Sequence, residues 1–265
     1  MLKPEGRSRL SAVLRRGRSL ITVDDATQAL GISRNAVAKI LARWQRQGWI
    51  TRVQRGLYAP VPLSSTTGDQ VIEDPWTLIP ELFGTAYVSG ASAAHHWDLT
   101  EQMFRSIFVC TTQPVRRKTH IVHGATFVLR HVAEDKIFGT RVLWRGTTKL
   151  QLSDPHRTVI DMLDDPASGG GIRHIANCLQ SYLRRPDASP ETLVDYAAQI
   201  GNGAVFKRLG FLAERAGAPN PLLAACTEWL TMGNAKLDPA RPCPRLIRRW
   251  RLWVPESWKQ GIADD

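Results

Sequence analysis

The stretch TVDDATQALGISRNAVAKILARWQRQGWITRVQRGLY, residues 22–58, decides the fold of the N-terminal part of the chain. Thr22 is a suitable N-cap for a helix with an acidic first turn, where negative charge suits the positive end of the helix dipole. Gly31 breaks this helix, and Ser33 caps the next one, in which apolar residues recur at helical spacing. The residues of this apolar stripe, which we expect to face a core, are Val37, Ile40, Leu41 and Trp44.

A β-hairpin follows these two helices, and a further helix precedes them. Residues 49–53 and 57–59 have the composition of strands, and the turn at 54–56 contains a glycine that tolerates positive φ. Residues 5–17 read as the preceding helix, with Gly17 at its end. Three helices followed by a hairpin predict a winged helix-turn-helix over residues 1–62. Such a module places its third helix in the DNA major groove and its wing along phosphates or the minor groove.

Positive charge is concentrated in the same segment. The chain of 265 residues has a formal net charge of +11. Residues 1–60 contain twelve basic and three acidic side chains, a net charge of +9, which leaves +2 for all the remaining residues. A basic segment of this kind is typical of a polyanion binder. The alternative is a solvated face that only aids solubility, and the helical scaffold that carries the charges disfavours it.

The rest of the chain predicts a larger second domain. Residues 63–70 combine Pro, Ser, Thr and Gly and read as a linker. Strand-like and helical segments alternate over residues 71–265, so the fold class is α/β (α+β), with an N-terminal winged helix-turn-helix and a mixed α/β C-terminal domain. The composition, 43% hydrophobic and 22% charged, is that of an ordinary globular protein.

The sequence predicts a cytoplasmic protein without a membrane partner. No apolar run reaches the roughly 18–20 residues that a membrane span requires, and the N-terminus lacks the apolar segment of a signal peptide. The four cysteines are far apart, which argues against a disulfide framework or a zinc knuckle and fits reduced thiols.

Double-stranded DNA is therefore the expected partner, and the basic module supplies candidate contacts of two kinds. Base-reading candidates lie early or centrally on the predicted recognition helix, where arginine can bridge guanine O6 and N7 and asparagine can bridge adenine N6 and N7; they are Arg34, Asn35, Lys39 and Arg43. Candidates for phosphate contacts lie on the first helix, after it and on the wing; they are Arg7, Arg9, Arg15, Arg16, Arg18, Arg52 and Arg55. Arg46 lies past the centre of the helix and reads as a phosphate contact or a solvated side chain.

Several short motifs, taken in order, resemble one family of regulators. They are the Leu-Gly-Ile-Ser turn at 30–33, Gly-Leu-Tyr at 56–58, Tyr-Val-Ser-Gly-Ala-Ser-Ala-Ala at 87–94, Leu-Ser-Asp-Pro-His-Arg-Thr-Val-Ile-Asp at 152–161, Lys-Arg-Leu-Gly-Phe-Leu at 207–212 and Trp-Arg-Leu-Trp-Val at 250–254. Together they resemble the AbiEi-like antitoxins and transcriptional regulators of type IV toxin–antitoxin systems. Each motif alone is weakly specific, but their order over nearly the whole chain is specific. The C-terminal tail is more basic and richer in tryptophan than that family leads us to expect.

The resemblance implies a function as well as a fold. It implies an autorepressor that binds repeats upstream of its own operon. It also implies a neighbouring gene for a nucleotidyltransferase-type toxin, which the C-terminal domain counters. The resemblance implies no cofactor.

An enzymatic function finds little support in the sequence. No two acidic residues are separated by one position, so the carboxylate pair of a nucleotidyltransferase is absent. Glu134-Asp135-Lys136 matches part of a metal-dependent nuclease motif, but no acidic residue lies between Glu101 and Glu134 to complete it. We therefore expect no catalysis and no metal, and for Asp161 we expect a structural ion pair with an arginine. A DNA-acting nuclease tethered by the winged helix remains the alternative class.

The tail leaves two further alternatives open. Arg248, Arg249 and Arg251 lie among tryptophans and are candidates for a second basic surface, because aromatic rings between arginines can stack on bases. Tryptophans this close together are as often anchors of a core. The C-terminal domain is alternatively the sensor of a ligand-responsive regulator.

Overall fold

A computed structural model describes residues 4–16, 20–54, 56–61 and 74–258. The chain forms two compact units. The first comprises residues 1–84, 120–126 and 143–150, and the second comprises the remaining segments, 85–119, 127–142 and 151–265. The predicted linker at 63–70 lies outside the described residues, so the predicted domain boundary stays a prediction.

The N-terminal segment forms the predicted winged helix-turn-helix. Its helices are α1 (Pro4–Arg16), α2 (Val23–Leu30) and α3 (Arg34–Arg46). Its strands are β1 (Ile21–Thr22), β2 (Ile50–Gln54) and β3 (Leu57–Pro60), which pair antiparallel in the order β1-β3-β2. The two helices and the hairpin that the sequence predicts after residue 22 are confirmed, whereas the two-residue strand β1 was not predicted.

Local signals place the ends of these helices. Thr22 and Asp25 form a capping box, in which the Thr22 hydroxyl accepts from the Asp25 amide at 3.0 Å and the Asp25 carboxylate accepts from the Thr22 amide at 3.1 Å. Gly31 then adopts a left-handed conformation, with φ of 63°, which a residue with a side chain adopts only with strain. Ser33 caps α3 through the Ala36 amide. The module closes over buried apolar residues from all three helices and the sheet; they are Leu10, Val13, Ile21, Ala26, Val37, Leu41, Trp44, Ile50 and Tyr58.

A six-stranded sheet occupies the middle of the chain. Its strands are β4 (Ala86–Val88), β5 (Ser106–Thr111), β6 (Thr119–Val122), β7 (Ala125–His131), β8 (Thr140–Arg145) and β9 (Thr148–Ser153). The strand order is β6-β7-β5-β4-β9-β8. The central strand β4 pairs antiparallel with β5 and parallel with β9. The sheet is therefore mixed, and together with the helices of the second unit it agrees with the predicted α/β (α+β) class.

Helices provide most of the core of the second unit. They are α5 (Gly90–His96), α6 (Pro155–Asp164), α7 (Ile172–Leu183), α8 (Pro190–Ile200), α9 (Gly203–Arg215) and α10 (Asn220–Glu228). The short α4 (Ile79–Phe83) lies in the first unit, directly after a 3-10 turn at Pro75–Leu78. Two further 3-10 turns are at Glu134–Lys136 and Glu256–Trp258. None of the described helices combines the length and the apolar character needed to cross a membrane.

A buried ion pair holds α6 in place. The Asp161 carboxylate accepts from Arg157 Nε at 2.7 Å and from the Ser89 hydroxyl at 2.6 Å, with both charged side chains at most 3% exposed. Arg157 also donates to the Tyr87 hydroxyl at 2.9 Å and to the Lys136 carbonyl at 3.0 Å. The structural ion pair predicted for Asp161 is therefore present, and it ties α6 to β4.

The C-terminal part of the chain forms a small three-stranded sheet. Its strands are β10 (Ala235–Lys236), β11 (Arg245–Ile247) and β12 (Leu252–Val254), in the order β10-β12-β11. Trp250 is fully buried, and its indole N–H donates to the Glu214 carboxylate of α9 at 2.6 Å. Trp250 is therefore a core anchor in the second unit.

Candidate nucleic-acid interface

Helix α3 divides its side chains between a core and an outer face. Val37, Leu41 and Trp44 are at most 1% exposed. The residues of the outer face, all exposed, are Arg34, Asn35, Ala38, Lys39, Ala42, Arg43, Gln45 and Arg46. No acidic residue lies within α3, so its exposed face carries only positive charge and neutral groups. A face of this composition suits a groove lined by phosphates.

The four predicted base-reading residues are all on this face. Asn35, Lys39 and Arg43 follow one another at a spacing of four, which places them in one row along the helix. Arg34 lies beside this row and forms an ion pair with Asp24 of α2, with 3.0 Å between Nη1 and the carboxylate oxygen. This pair is largely exposed and contributes at most about 1 kcal/mol to stability, so a base or phosphate can replace Asp24 at little cost.

The acidic residues of the preceding helix do not neutralise the row. Asp24 is held by Arg34. The Asp25 carboxylate accepts from both the amide and the hydroxyl of Thr22, at 3.1 Å and 2.6 Å. Both carboxylates thus serve contacts within the module, and the charges of Lys39 and Arg43 remain available to a polyanion.

The outer face also contains two alanines that were not among the predicted contacts, although the helical spacing already placed Ala42 on this face. Ala38 and Ala42 are exposed and lie one turn apart on α3. Small side chains allow a helix backbone to approach a groove closely, and alanine methyl groups contact the thymine methyl group in major-groove recognition. Because alanine carries no charge and is common on helices, exposure on this face is the only signal that separates these two from other alanines.

The wing is attached to the start of α2. The Val23 amide donates to the Gly56 carbonyl at 3.2 Å, and Gly56 has a φ of 84°. Arg52 is exposed on β2, where it is in register with Tyr58 on β3. The register shifts between Arg52 and Gln54, so a β-bulge lies directly before the wing tip. Arg55, the predicted wing-tip contact, lies outside the described residues.

The other predicted phosphate contacts cluster around α1. Arg9 and Arg15 are exposed on this helix. Arg7 and Arg16 belong to the helix, but their side chains are outside the described part of the structure, as is the whole of Arg18. Arg9, Arg15 and Arg52 are therefore the phosphate candidates with described side chains.

The predicted second basic surface in the tail is largely committed to contacts within the second unit. Arg249 pairs with Glu214 and lies over the ring of Trp250, 5.3 Å from its centroid. Arg251 donates to the Thr231 carbonyl at 3.0 Å. Arg248 is exposed. A role of these three arginines in nucleic-acid binding stays a prediction.

The residues of the partial nuclease motif lie in one short turn. Glu134 and Asp135 are exposed in a 3-10 turn, and Lys136 Nζ donates to the Gln199 carbonyl at 2.7 Å. Within the described ranges, no group of three or more His, Cys, Asp or Glu side chains is arranged to hold a metal ion.

The comparisons with known proteins agree with this architecture. A crystal structure of the RV2827C protein from Mycobacterium tuberculosis is similar, with a TM-score of 0.65 and 19% sequence identity over 96% of this chain and 92% of that chain. At this identity the similarity establishes a shared fold. A search among curated proteins found no match. Residues 8–61 match the family described as transcriptional regulator, AbiEi antitoxin, which confirms for this segment the resemblance inferred from the sequence motifs.

Proposed function

We propose that the chain is a sequence-specific repressor that binds double-stranded DNA, acts as the antitoxin of a type IV toxin–antitoxin operon and represses that operon. The observation that carries the proposal is the outer face of α3, where Asn35, Lys39 and Arg43 form one exposed row opposite the buried Val37 and Trp44. The family match over residues 8–61 supports the role of regulator and antitoxin.

The partners follow from the same proposal. The DNA partner is the promoter of the chain's own operon, with repeated half-sites, and the functional partner is a nucleotidyltransferase-type toxin that need not bind stably. The protein acts in the cytoplasm by binding and not by catalysis. Each role has a separate test, because a regulator can bind its operator without countering a toxin.

The DNA-binding role is tested by fluorescence anisotropy of the full chain with a labelled duplex from its own promoter and a shuffled duplex of equal composition. Replacing a base-reading side chain, in Asn35→Ala or Arg43→Ala, is expected to weaken promoter binding by about 1–3 kcal/mol, roughly 5- to 150-fold, and to leave shuffled-duplex binding almost unchanged. Arg173→Ala, on the exposed face of α7, is the matched control and is expected to leave both affinities unchanged.

Phosphate contacts have a different signature. Arg9→Ala and Arg15→Ala are expected to weaken both duplexes alike and to reduce the slope of log affinity against log salt by about 1 each. Two results contradict the proposal: no preference of the wild-type chain for the promoter at any salt concentration, or equal loss from Arg173→Ala and from the α3 variants.

The antitoxin role is tested by growth. Co-expression of the full chain with the nucleotidyltransferase encoded beside it is expected to restore the growth that this toxin prevents. If the neighbouring gene product is toxic and the chain does not restore growth, the antitoxin part of the proposal is wrong, while the DNA-binding part stands or falls on the anisotropy experiment alone.

A further inference from the structure

A cavity of about 300 Å³ opens in the second unit beside β5 and β7. Its walls are mainly apolar and include Phe108, Val115, Val128 and Leu129. Its volume reaches the lower end of the range that small-molecule sites occupy. All the residues that line it belong to the second unit, so the cavity is a property of that unit alone.

A second, more polar cavity of about 200 Å³ adjoins the first. The two share three lining residues, Arg130, His131 and Asp161, and the second adds Lys136 and Arg157. The carboxylates here are already engaged: Asp161 accepts from Arg157 and Ser89, and Asp164 pairs with Arg130. With histidine counted as neutral, three cations face two carboxylates in the second cavity, an excess of one positive charge.

One donor in this second cavity has no partner. Arg157 Nη1 is buried and makes no hydrogen bond within the described part of the chain, although the side chain is only 1% exposed. The other nitrogens of the same guanidinium are used, Nε by Asp161 and Nη2 by the Tyr87 hydroxyl and the Lys136 carbonyl. Buried polar groups are almost always satisfied, and an unmade hydrogen bond from a cation is unfavourable. An acceptor, preferably an anionic one, would satisfy this donor.

We propose that the two cavities form one binding site for a small molecule with an apolar ring or chain and a single anionic group, a carboxylate or a phosphate. The apolar part occupies the larger cavity, where burial of apolar surface drives binding. The anionic group lies in the smaller cavity, accepts from Arg157 Nη1 and neutralises the excess positive charge shared with Arg130 and Lys136. This inference is independent of DNA binding, which rests on residues of the first unit.

The site is tested with defined probes on the full chain by isothermal titration calorimetry. Phenyl phosphate and benzoate have a ring and an anionic group, whereas phenol lacks the anion and inorganic phosphate lacks the ring. The two anionic ring compounds are expected to bind saturably with a Kd on the order of 1 mM, as their small size allows. Phenol and inorganic phosphate are expected to bind at least about 5-fold more weakly.

Two variants and a control locate the binding. Val128→Trp fills the apolar cavity, and Lys136→Gln removes one of the cations; each is expected to weaken phenyl phosphate and benzoate by about 5-fold or more. Arg173→Gln, an exposed cation away from both cavities, serves as the matched control. If Val128→Trp lowers the folding cooperativity, Lys136→Gln alone decides.

Three outcomes overturn the proposal. They are no saturable binding of phenyl phosphate or benzoate, equal affinity for inorganic phosphate and phenyl phosphate, and equal loss of affinity in Lys136→Gln and Arg173→Gln. Equal affinity for the two phosphate compounds would mean that the site binds the anion without using the apolar cavity. Equal loss in the two variants would mean that the protein's overall charge, and not Lys136 in the cavity, determines the affinity.

Discussion

The ring of Trp250 requires a glycine on the opposing helix. A Cβ atom at Gly210, in the middle of α9, would lie 2.0 Å from Trp250 Cζ3. Glycine is unfavourable inside a helix, by about 1 kcal/mol relative to alanine, so close packing against the ring is the reason for its presence. The Glu214 carboxylate, one turn further along α9, accepts a hydrogen bond from the indole N–H of Trp250 at 2.6 Å. Two residues of one helix thus fix one side chain of the tail.

Gly210→Ala is expected to lower the free energy of unfolding by about 1–3 kcal/mol, because overpacking outweighs the gain in helix propensity. Urea denaturation of the full chain measures the change. In a Trp250→Leu background the same substitution is expected to be nearly neutral or stabilising, so the double-mutant cycle gives a clear coupling energy. Equal effects in both backgrounds would show that the indole ring is not the cause.

At the residue scale, the sequence predicts the kind of interaction that a side chain needs better than it predicts which distant residue provides it. The ion pair of Asp161 could be predicted, because a lone carboxylate on an apolar helix face needs a cation, and Arg157 lies one turn before it. The fate of Trp250 could not be predicted, because its partners Gly210 and Glu214 are about forty residues earlier in the chain. Ala38 and Ala42 were not predicted as contacts for a different reason: helical spacing can place an alanine on the outer face, but nothing in its side chain distinguishes a contact from any other exposed alanine.

The capping box of α2 joins helix, strand and wing. Thr22 ends β1, where it is in register with Leu57, and it also caps the helix that follows. The backbone amide of the next residue, Val23, donates a hydrogen bond to the Gly56 carbonyl of the wing. The start of α2 is therefore a point at which the sheet and the helix-turn-helix are connected by hydrogen bonds.

Thr22→Ala is expected to destabilise the protein by about 1 kcal/mol, because the Asp25 amide and the Asp25 carboxylate both lose a partner. The comparison is Ser33→Ala at the start of α3, where the capping hydrogen bond is long, at 3.4 Å, and exposed, so a smaller loss is expected. Thermal denaturation of both variants shows which substitution destabilises the protein more. A larger loss from Ser33→Ala would contradict the structural argument.

Prediction of elements succeeded where an apolar pattern or a cap could be read locally, and failed mainly for very short strands. The helices from α1 to α3 and from α6 to α9 follow apolar spacing and caps that can be read locally. Strand β9, Thr148–Ser153, was not predicted, although its burial alternates in part: Leu150 and Leu152 are buried, whereas Lys149, the second residue of the strand, is exposed. The strands of the tail have two or three residues each, and only their pairing identifies them.

Across the whole molecule, buried thiols couple stability to alkaline pH. Burial raises the pKa of the Cys110, Cys178 and Cys226 thiols from 9.0 to about 12. Burial likewise raises the pKa of Tyr182 from 10.0 to about 12. In each case the folded state keeps a proton that the unfolded state releases at lower pH. The stabilisation is complete below pH 9 and is lost as the pH rises towards 12.

The free energy of unfolding is therefore expected to fall between pH 9 and pH 11, with each thiol contributing up to about 1.4 kcal/mol per pH unit. Urea denaturation at a series of pH values under reducing conditions measures this slope. Cys178→Ala lowers stability at every pH but is expected to make the slope shallower, whereas the exposed substitution Arg173→Gln is expected to leave it unchanged. A flat profile up to pH 11 would contradict the burial argument.

The candidate interface and the candidate ligand site differ in how far the sequence predicts them. The outer face of α3 could be predicted, because one helix carries both the core stripe and the charges opposite it. The pair of cavities could not, because their lining comes from separate segments such as β5, β7 and α6, which only the folded chain brings together.

The two faces of α3 separate the residues that pack in the core from the exposed residues, which can be substituted without loss of packing. Val37, Leu41 and Trp44 hold the module together, and none of them is on the outer face. Substitutions at Asn35, Lys39 or Ala42 leave these packing contacts intact. On the proposed DNA-binding role, the recognised sequence can therefore change through substitutions on the outer face of α3, because the buried packing contacts of the module are kept.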